Sequence, residues 1–275
     1  MLEKANAIVK ATEEKMIKGD TEHLPIEICD DIKVGVDLGT SNIVLTVLDK
    51  KNRPIIGAMQ SANVVKDGIV VDYIKAVDIV HGLKEKVEKR INKQLCYAAT
   101  AIPPGISTGN IKVITNVVES CGFEVINVVD EPEAAARVLN IDNGAVVDVG
   151  GGTTGISIIE KGQVTLSVDE PTGGTHLTLV VAGNYGISFE EAEKFKLDPK
   201  NYHKVFPVVR PVVEKMADIV LKSITGFDIE RIYLVGGTCC LDGIEKVFEK
   251  YIGIETIKPY NPLLVTPIGI SMSVS

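Results

Sequence analysis

Two aspartates lie 111 positions apart (148 − 37 = 111), each at the end of a short β-rich run that enters a turn of small residues, and this repetition constrains the chain most. In the first copy, residues 32–37 read as a strand, Gly39-Thr40-Ser41-Asn42 as a turn and residues 43–48 as a second strand. Lys50-Lys51-Asn52-Arg53 then turns the chain into a third strand over 54–59. In the second copy, residues 145–149, 156–159 and 164–168 are the three strands. Gly150-Gly151-Gly152-Thr153-Thr154-Gly155 and Glu160-Lys161-Gly162 are the turns between them. The elements after each set of three strands also repeat. Residues 74–91 carry Val77, Val80, Leu83, Val87 and Ile91 on one side and predict a helix. A strand (96–102), a helix (111–119), a strand (125–129) and a helix with Pro132 in its first turn come next, ending near 139. The second half gives helices over 188–196 and 208–224, a strand over 232–235, a helix over 243–251, a strand over 254–257 and a short helix from about 265.

Three antiparallel strands followed by alternating helix and strand predict an α/β fold, a mixed sheet with helices on both faces. Two such halves leave a crevice between them, with a ligand against the strand ends. The expected organisation is an N-terminal helix and linker (1–30), a first domain (31–143) and a second domain (144–275) whose final segment returns toward the first. Apolar Leu2, Ala5, Ile8, Val9 and Met16 predict an amphipathic helix over 1–18, ended by Gly19 and followed by a polar stretch through Pro25. That helix either packs on the body or docks on another protein.

Glycines let backbone N–H groups converge on an anion, and Thr or Ser hydroxyls add donors. One such turn reads equally as an ordinary hairpin, and either aspartate alone as a turn cap. Two matching turns facing each other would clamp a di- or triphosphate, with Asp37 and Asp148 holding Mg²⁺ through its waters. Neither turn is a G-x-x-x-x-G-K-[ST] loop or a G-x-G-x-x-G fingerprint. Leu234-Val235-Gly236-Gly237-Thr238 is a strand running into a double-glycine turn that would admit a base and ribose. The net charge of −8 disfavours nucleic acid as a partner. No apolar run is long enough to span a bilayer, and Glu3 and Lys4 interrupt any signal-peptide core, so a cytoplasmic chain is expected. The pair Cys239-Cys240 among five cysteines reads as reduced thiols, with a metal or redox pair as the other reading.

These motifs together resemble the actin, sugar-kinase and DnaK-type chaperone ATPase superfamily. Its two phosphate loops are matched by residues 35–42 and 147–154, its first hinge by Asp130-Glu131-Pro132-Glu133, and its adenosine motif by 234–238 with Gly243. Within it the chain is similar to the EutJ family of ethanolamine-utilisation proteins, on Val65-Lys66-Asp67-Gly68-Ile69-Val70, Thr172-Gly173-Gly174-Thr175-His176 and two helical stretches, 187–193 and 214–220. The resemblance implies two duplicated actin-like (ribonuclease H-like) domains with reduced outer subdomains and a nucleotide cleft between them. It implies ATP and Mg²⁺ as cofactors. Gly39, Thr40, Ser41, Asn42, Gly150, Gly151, Gly152 and Thr154 would hold phosphates, joined by Gly173 and Gly174 near the γ-phosphate. Asp37, Glu131, Asp148 and Thr153 would form the catalytic set, with Glu131 placing the attacking water. Glu193, Lys196, Gly236, Gly237 and Thr238 would flank the adenosine. A solvated ion pair remains the other reading of Glu193 and Lys196, and helix capping that of Glu131.

Three departures stand out. Gly155 replaces the chaperones' aspartate, Cys240 replaces an adenine-stacking arginine, and no lysine within 60–95 matches their catalytic lysine. They imply slow hydrolysis. The expected function is a nucleotide-dependent accessory or assembly chaperone, with ethanolamine ammonia-lyase or a bacterial microcompartment protein as client. The alternatives are an actin-like filament, which makes an oligomer one expectation, and a small-molecule kinase of the same fold.

Overall fold

The structure is a computed structural model that describes residues 2–18, 31–66 and 68–274. The expectations at Gly19, Pro25, Cys29 and Asp67 lie outside those residues. Helix α1 (Glu3–Glu14) comes first, and β1 (Ile32–Leu38), β2 (Asn42–Asp49) and β3 (Pro54–Ser61) follow as an antiparallel meander. A small hairpin, β4 (Val65–Lys66) and β5 (Ile69–Val70), leads to α2 (Tyr73–Ile91). Then come β6 (Tyr97–Ile102), α3 (Thr108–Ser120), β7 (Glu124–Asp130) and α4 (Glu131–Leu139). The second half opens with the meander β8 (Gly144–Val149), β9 (Thr154–Glu160) and β10 (Gln163–Glu170). Helices α5 (Gly174–Tyr185), α6 (Phe189–Leu197) and α7 (Tyr202–Ile224) separate it from β11 (Arg231–Val235), α8 (Ile244–Ile252), β12 (Glu255–Ile257) and α9 (Val265–Met272).

The two five-stranded sheets have the orders β3-β2-β1-β6-β7 and β10-β9-β8-β11-β12. Place for place these are the same topology, so the repeat seen in the sequence is a repeat of structure. In each, three antiparallel strands are joined to two parallel ones. Residues 43–49 of β2 are buried without alternation, because α2 covers one side of the sheet and α9 the other. Local signals set the helix ends. The Asp72 side chain caps the N–H of Lys75 at the start of α2, and Asn92 ends it in the left-handed region at φ 49°. Ser188 and Glu191 form a reciprocal capping box on α6.

Each sheet has its own apolar core. A third cluster joins the halves, with Ala5 and Val9 of α1, Val138 and Leu139 of α4, Val146 of β8, and Val265 and Ile268 of α9. Helix α9 follows the last strand of the second sheet and yet packs on β1 and β2 of the first. There Thr46 donates to the carbonyl of Pro267 at 2.9 Å and pairs with the Ser271 hydroxyl at 2.6 Å. Asn127 donates to the carbonyl of Ser273 at 3.1 Å. Helices α4 and α9 cross where Gly269 lies on Ala134. Both helices pack between the halves, and α1 lies against them.

Three expectations need correction. The N-terminal helix ends at Glu14 rather than at residue 18, because residues 15–17 run beside β3, with the Ile17 N–H on the Gly57 carbonyl at 2.8 Å. Residues 174–185 form a helix that the sequence reading lacked, since Leu177, Leu179, Val180 and Val181 crowd apolar residues around it without a helical stripe. Helix α7 begins at Tyr202 rather than 208 and carries both Pro207 and Pro211 internally. Both prolines are exposed, so water can serve the carbonyls they leave without a donor.

Candidate functional site

Pairing fixes the two turns as equivalents. Leu38 pairs with Ile43 in the first meander and Val149 with Thr154 in the second, so each pair closes a four-residue loop, 39–42 or 150–153. Asp37 and Asp148 are each the penultimate residue of the strand before the loop. The loops come from different sheets and meet. A Cβ on Gly151 would lie 3.3 Å from the Cβ atoms of both Thr40 and Ser41 and would collide with the Ser41 hydroxyl. The N–H groups of Thr40, Ser41, Gly151 and Gly152 donate to no backbone carbonyl among the described residues. Amides left open in two opposed loops fit a phosphate chain.

The second loop is braced from behind. The Gly150 carbonyl accepts from the Gly174 N–H at 2.9 Å and from the Thr238 hydroxyl at 2.8 Å, and the Gly151 carbonyl accepts from the Thr175 N–H at 2.8 Å. Lys196 joins from α6. Its ammonium contacts Glu193 at 2.7 Å, the Thr178 hydroxyl at 2.8 Å and the Gly174 carbonyl at 3.1 Å. Glu193 also accepts from the Thr178 hydroxyl. Burial lowers the Lys196 pKa, and the Glu193 charge opposes that shift. The structure therefore brings Gly150 to Gly152, Gly173, Gly174, Glu193, Lys196 and Thr238 into one neighbourhood. Glu193 and Lys196 are indeed an ion pair, but a half-buried one tied to the start of α5 that braces the loop. Asn42 accepts from the Ser61 hydroxyl at 3.1 Å, and Thr154 donates to the Thr172 carbonyl at 2.6 Å. Gly236 has φ +90° and lies so close to Asp148 that any side chain there would strike its carboxylate. Gly237 opens the short 3₁₀ turn after β11.

Carboxylates dominate the electrostatics. Asp37 is pushed up to about 7, first by burial and then by the charge of Asp148. Burial raises Asp148 as well, and a hydrogen bond from Thr266 works against it. Glu131, the first residue of α4, is raised well above its usual value by burial and by Asp148, Asp37, Asp169 and Asp130. Such mutual repulsion is relieved when a divalent cation enters. Among the described residues no group of three or more His, Cys, Asp or Glu side chains is placed to hold a metal directly. Oxygen donors alone, the carboxylates of Asp37, Asp148 and Glu131, gather here, and such donors would fit a hydrated Mg²⁺.

Asp169 escaped the sequence reading. It pairs with Gly155 across β9 and β10, and its Oδ1 lies 3.7 Å from where a Gly155 Cβ would stand. The register of the second hairpin was the available signal. The buried lysine within 60–95, Lys84, turns to the carbonyls of Cys121 and Gly122 at 3.0 and 3.3 Å. Cys240 is half-buried, with its sulfur 3.8 Å from Asn261 Oδ1. Burial raises the thiols of Cys239 and Cys240, which disfavours their thiolate forms. No helix among the described residues is long and apolar enough to cross a membrane.

Comparison with known proteins places this geometry. Residues 133–266 match the family model of the type IV pilus assembly protein PilM, and residues 53–185 that of the MreB/Mbl protein. The chain is 44% identical to the ethanolamine utilization protein EutJ of Escherichia coli (strain K12) over 87% of its length and 85% of that protein's. The crystal structure of EutJ from Carboxydothermus hydrogenoformans is 48% identical, with a TM-score of 0.90, covering 98% of this chain and 97% of that one. MreB5 of Spiroplasma citri, solved bound to ADP, is 18% identical with a TM-score of 0.71 over 88% of this chain and 95% of that one. That last likeness shows the shared actin-like fold.

Proposed function

Because the chain belongs to the EutJ family of actin-like ATPases, we infer that it binds ATP with Mg²⁺ between the 39–42 and 150–153 loops and serves ethanolamine utilisation as a nucleotide-dependent accessory or assembly chaperone. The observation that carries this reading is the meeting of two equivalent loops from two sheets, each preceded by an aspartate whose pKa is raised by burial. Open amides of Thr40, Ser41, Gly151 and Gly152 would take phosphate oxygens. Asp37 and Asp148 would hold the hydrated cation, and Glu131 would orient water at the start of the hinge helix α4. Gly173 and Gly174 would back the terminal phosphate, with Thr238, Gly236, Gly237, Glu193 and Lys196 toward the nucleoside. A bound Mg²⁺ would neutralise charge on the phosphates and on these carboxylates. The ADP bound to MreB5 supports a nucleotide in this fold.

Turnover should be slow. Gly155 contributes no side chain, and Lys84 is committed to the carbonyls of Cys121 and Gly122. The value of ATP would then lie in the closure of the two halves, which α4 and α9 transmit and a client reads. Pull-downs from an ethanolamine-grown lysate with Mg-ATP and with EDTA test the client reading. A protein of ethanolamine breakdown or of a microcompartment shell is expected to be enriched several-fold in one condition. Equal recovery of the same proteins in both would contradict it. Sedimentation with Mg-ATP answers the filament alternative, since a chaperone of this kind stays in the supernatant.

A further inference from the structure

We propose that Thr266, at the start of the hinge helix α9, is a positioning residue that fixes the Asp148 carboxylate and ties it to the movement of the two halves. The proposal rests on the nucleotide-site reading above. The Thr266 hydroxyl donates to Asp148 Oδ2 at 2.6 Å, and both side chains are buried, at 5% and 6% exposure. The other oxygen, Oδ1, faces the backbone of Gly236, where a side chain would collide with it. The carboxylate is thus held from two sides, by a hydroxyl and by a close backbone.

What makes the hydroxyl more than a packing contact is the element that carries it. Just upstream of α9, the Pro262 carbonyl accepts from the Gly236 N–H at 3.1 Å, so the start of the segment is fastened to the second sheet. One residue beyond Thr266, the Pro267 carbonyl accepts from Thr46 of the first sheet, and Ser271 bonds the same threonine. Thr266 therefore stands between an anchor in one half and an anchor in the other. A shift of the first half relative to the second moves α9, and Asp148 follows through one buried hydrogen bond. A carboxylate free of that donor would be held only by its close approach to Gly236 and would be free to rotate away from the cation.

The test compares Thr266→Val, which keeps the shape and removes the hydroxyl, with Thr266→Ser, which keeps the hydroxyl. Calorimetric titration with ADP is run in Mg²⁺ and in EDTA. Thr266→Val is expected to lose about tenfold of the Mg²⁺-dependent gain in affinity, with the affinity in EDTA unchanged and Thr266→Ser near wild type. An equal loss in Mg²⁺ and EDTA, or a full Mg²⁺ gain in Thr266→Val, overturns the proposal. The carboxyl carbon-13 shift of Asp148 in the nucleotide-free protein is read in parallel at one pH. It should change in Thr266→Val and return in Thr266→Ser, and no change overturns the proposal. If wild type binds no nucleotide while the carboxyl shift behaves as expected, the nucleotide reading fails and the Thr266–Asp148 link stands.

Discussion

Replacing Asp37 by Asn should make the nucleotide-free protein more stable at pH 8 and at the same time remove its response to Mg²⁺. The Asp37 carboxyl lies at about 7 in the fold, against an ordinary 3.8, because burial and the Asp148 charge disfavour its ionised form. The unfolded chain gives up that proton more readily than the folded one. This group therefore costs nothing below pH 4 and increasingly more as the pH rises, with the full penalty reached above about pH 7. A shift of about three units at 1.36 kcal/mol each sets a ceiling of ~4 kcal/mol at pH 8. The amide of the Asp37→Asn variant carries no charge, so that protein should gain a large part of that figure at pH 8 and little near pH 4.5. Chemical denaturation at both pH values measures the gap. Mg²⁺ should raise the Tm of wild type in the presence of ADP and leave Asp37→Asn nearly unmoved. A variant with the wild-type pH profile would show that the Asp37 carboxyl is not raised in the fold.

Gly269→Ala should be among the most damaging single changes in the chain. Its Cβ would sit on the Ala134 carbonyl and 3.0 Å from Ala134 Cα, and both are backbone atoms of a packed helix that cannot turn aside. The crossing of α4 and α9 would have to open, straining the Thr46–Ser271 and Asn127–Ser273 bonds. Overpacking of this kind costs about 3 kcal/mol or more, roughly 6 to 12 °C of Tm in a chain this size. Gly82→Ala is the control. A Cβ there meets nothing within 4 Å in the middle of α2, and better helix propensity should add up to ~1 kcal/mol. Thermal unfolding of the two variants should move in opposite directions. A Gly269→Ala protein within about 2 °C of wild type would remove the crossing from its place as the hinge.

The duplicated half was legible because both copies express the same period-2 runs and the same turn chemistry. Asp37 and Asp148 sit at equivalent positions for a reason visible in the letters, the change from apolar strand residues to a glycine two places on, with threonine following in the turn. Helix α5 was not legible, since its apolar residues surround it and its start is a pair of glycines whose role is a close approach to the second loop. The prolines of α7 hid its first turns, because the local rule against internal proline is relaxed on an exposed face. The cut of α1 at Glu14 depends on a strand edge some forty residues away. Asp169 and Thr266 show the same limit at the site. Each reaches the carboxylate cluster through a strand register or a returning helix, and no local pattern marks either one. Glu193 and Lys196 were legible as a pair, but not their attachment to Gly174 and Thr178.

The most direct measurement is a calorimetric titration of wild type and Gly151→Val with ATP, in Mg²⁺ and in EDTA. A valine at 151 drives a branched side chain into Thr40 and Ser41 and holds the two loops apart. Wild type should bind one ATP per chain, at least tenfold more tightly with Mg²⁺, and Gly151→Val should bind at least tenfold more weakly while keeping its Tm. Absence of binding to wild type at millimolar Mg-ATP, or unchanged binding to a folded Gly151→Val protein, would contradict a nucleotide held between these two loops.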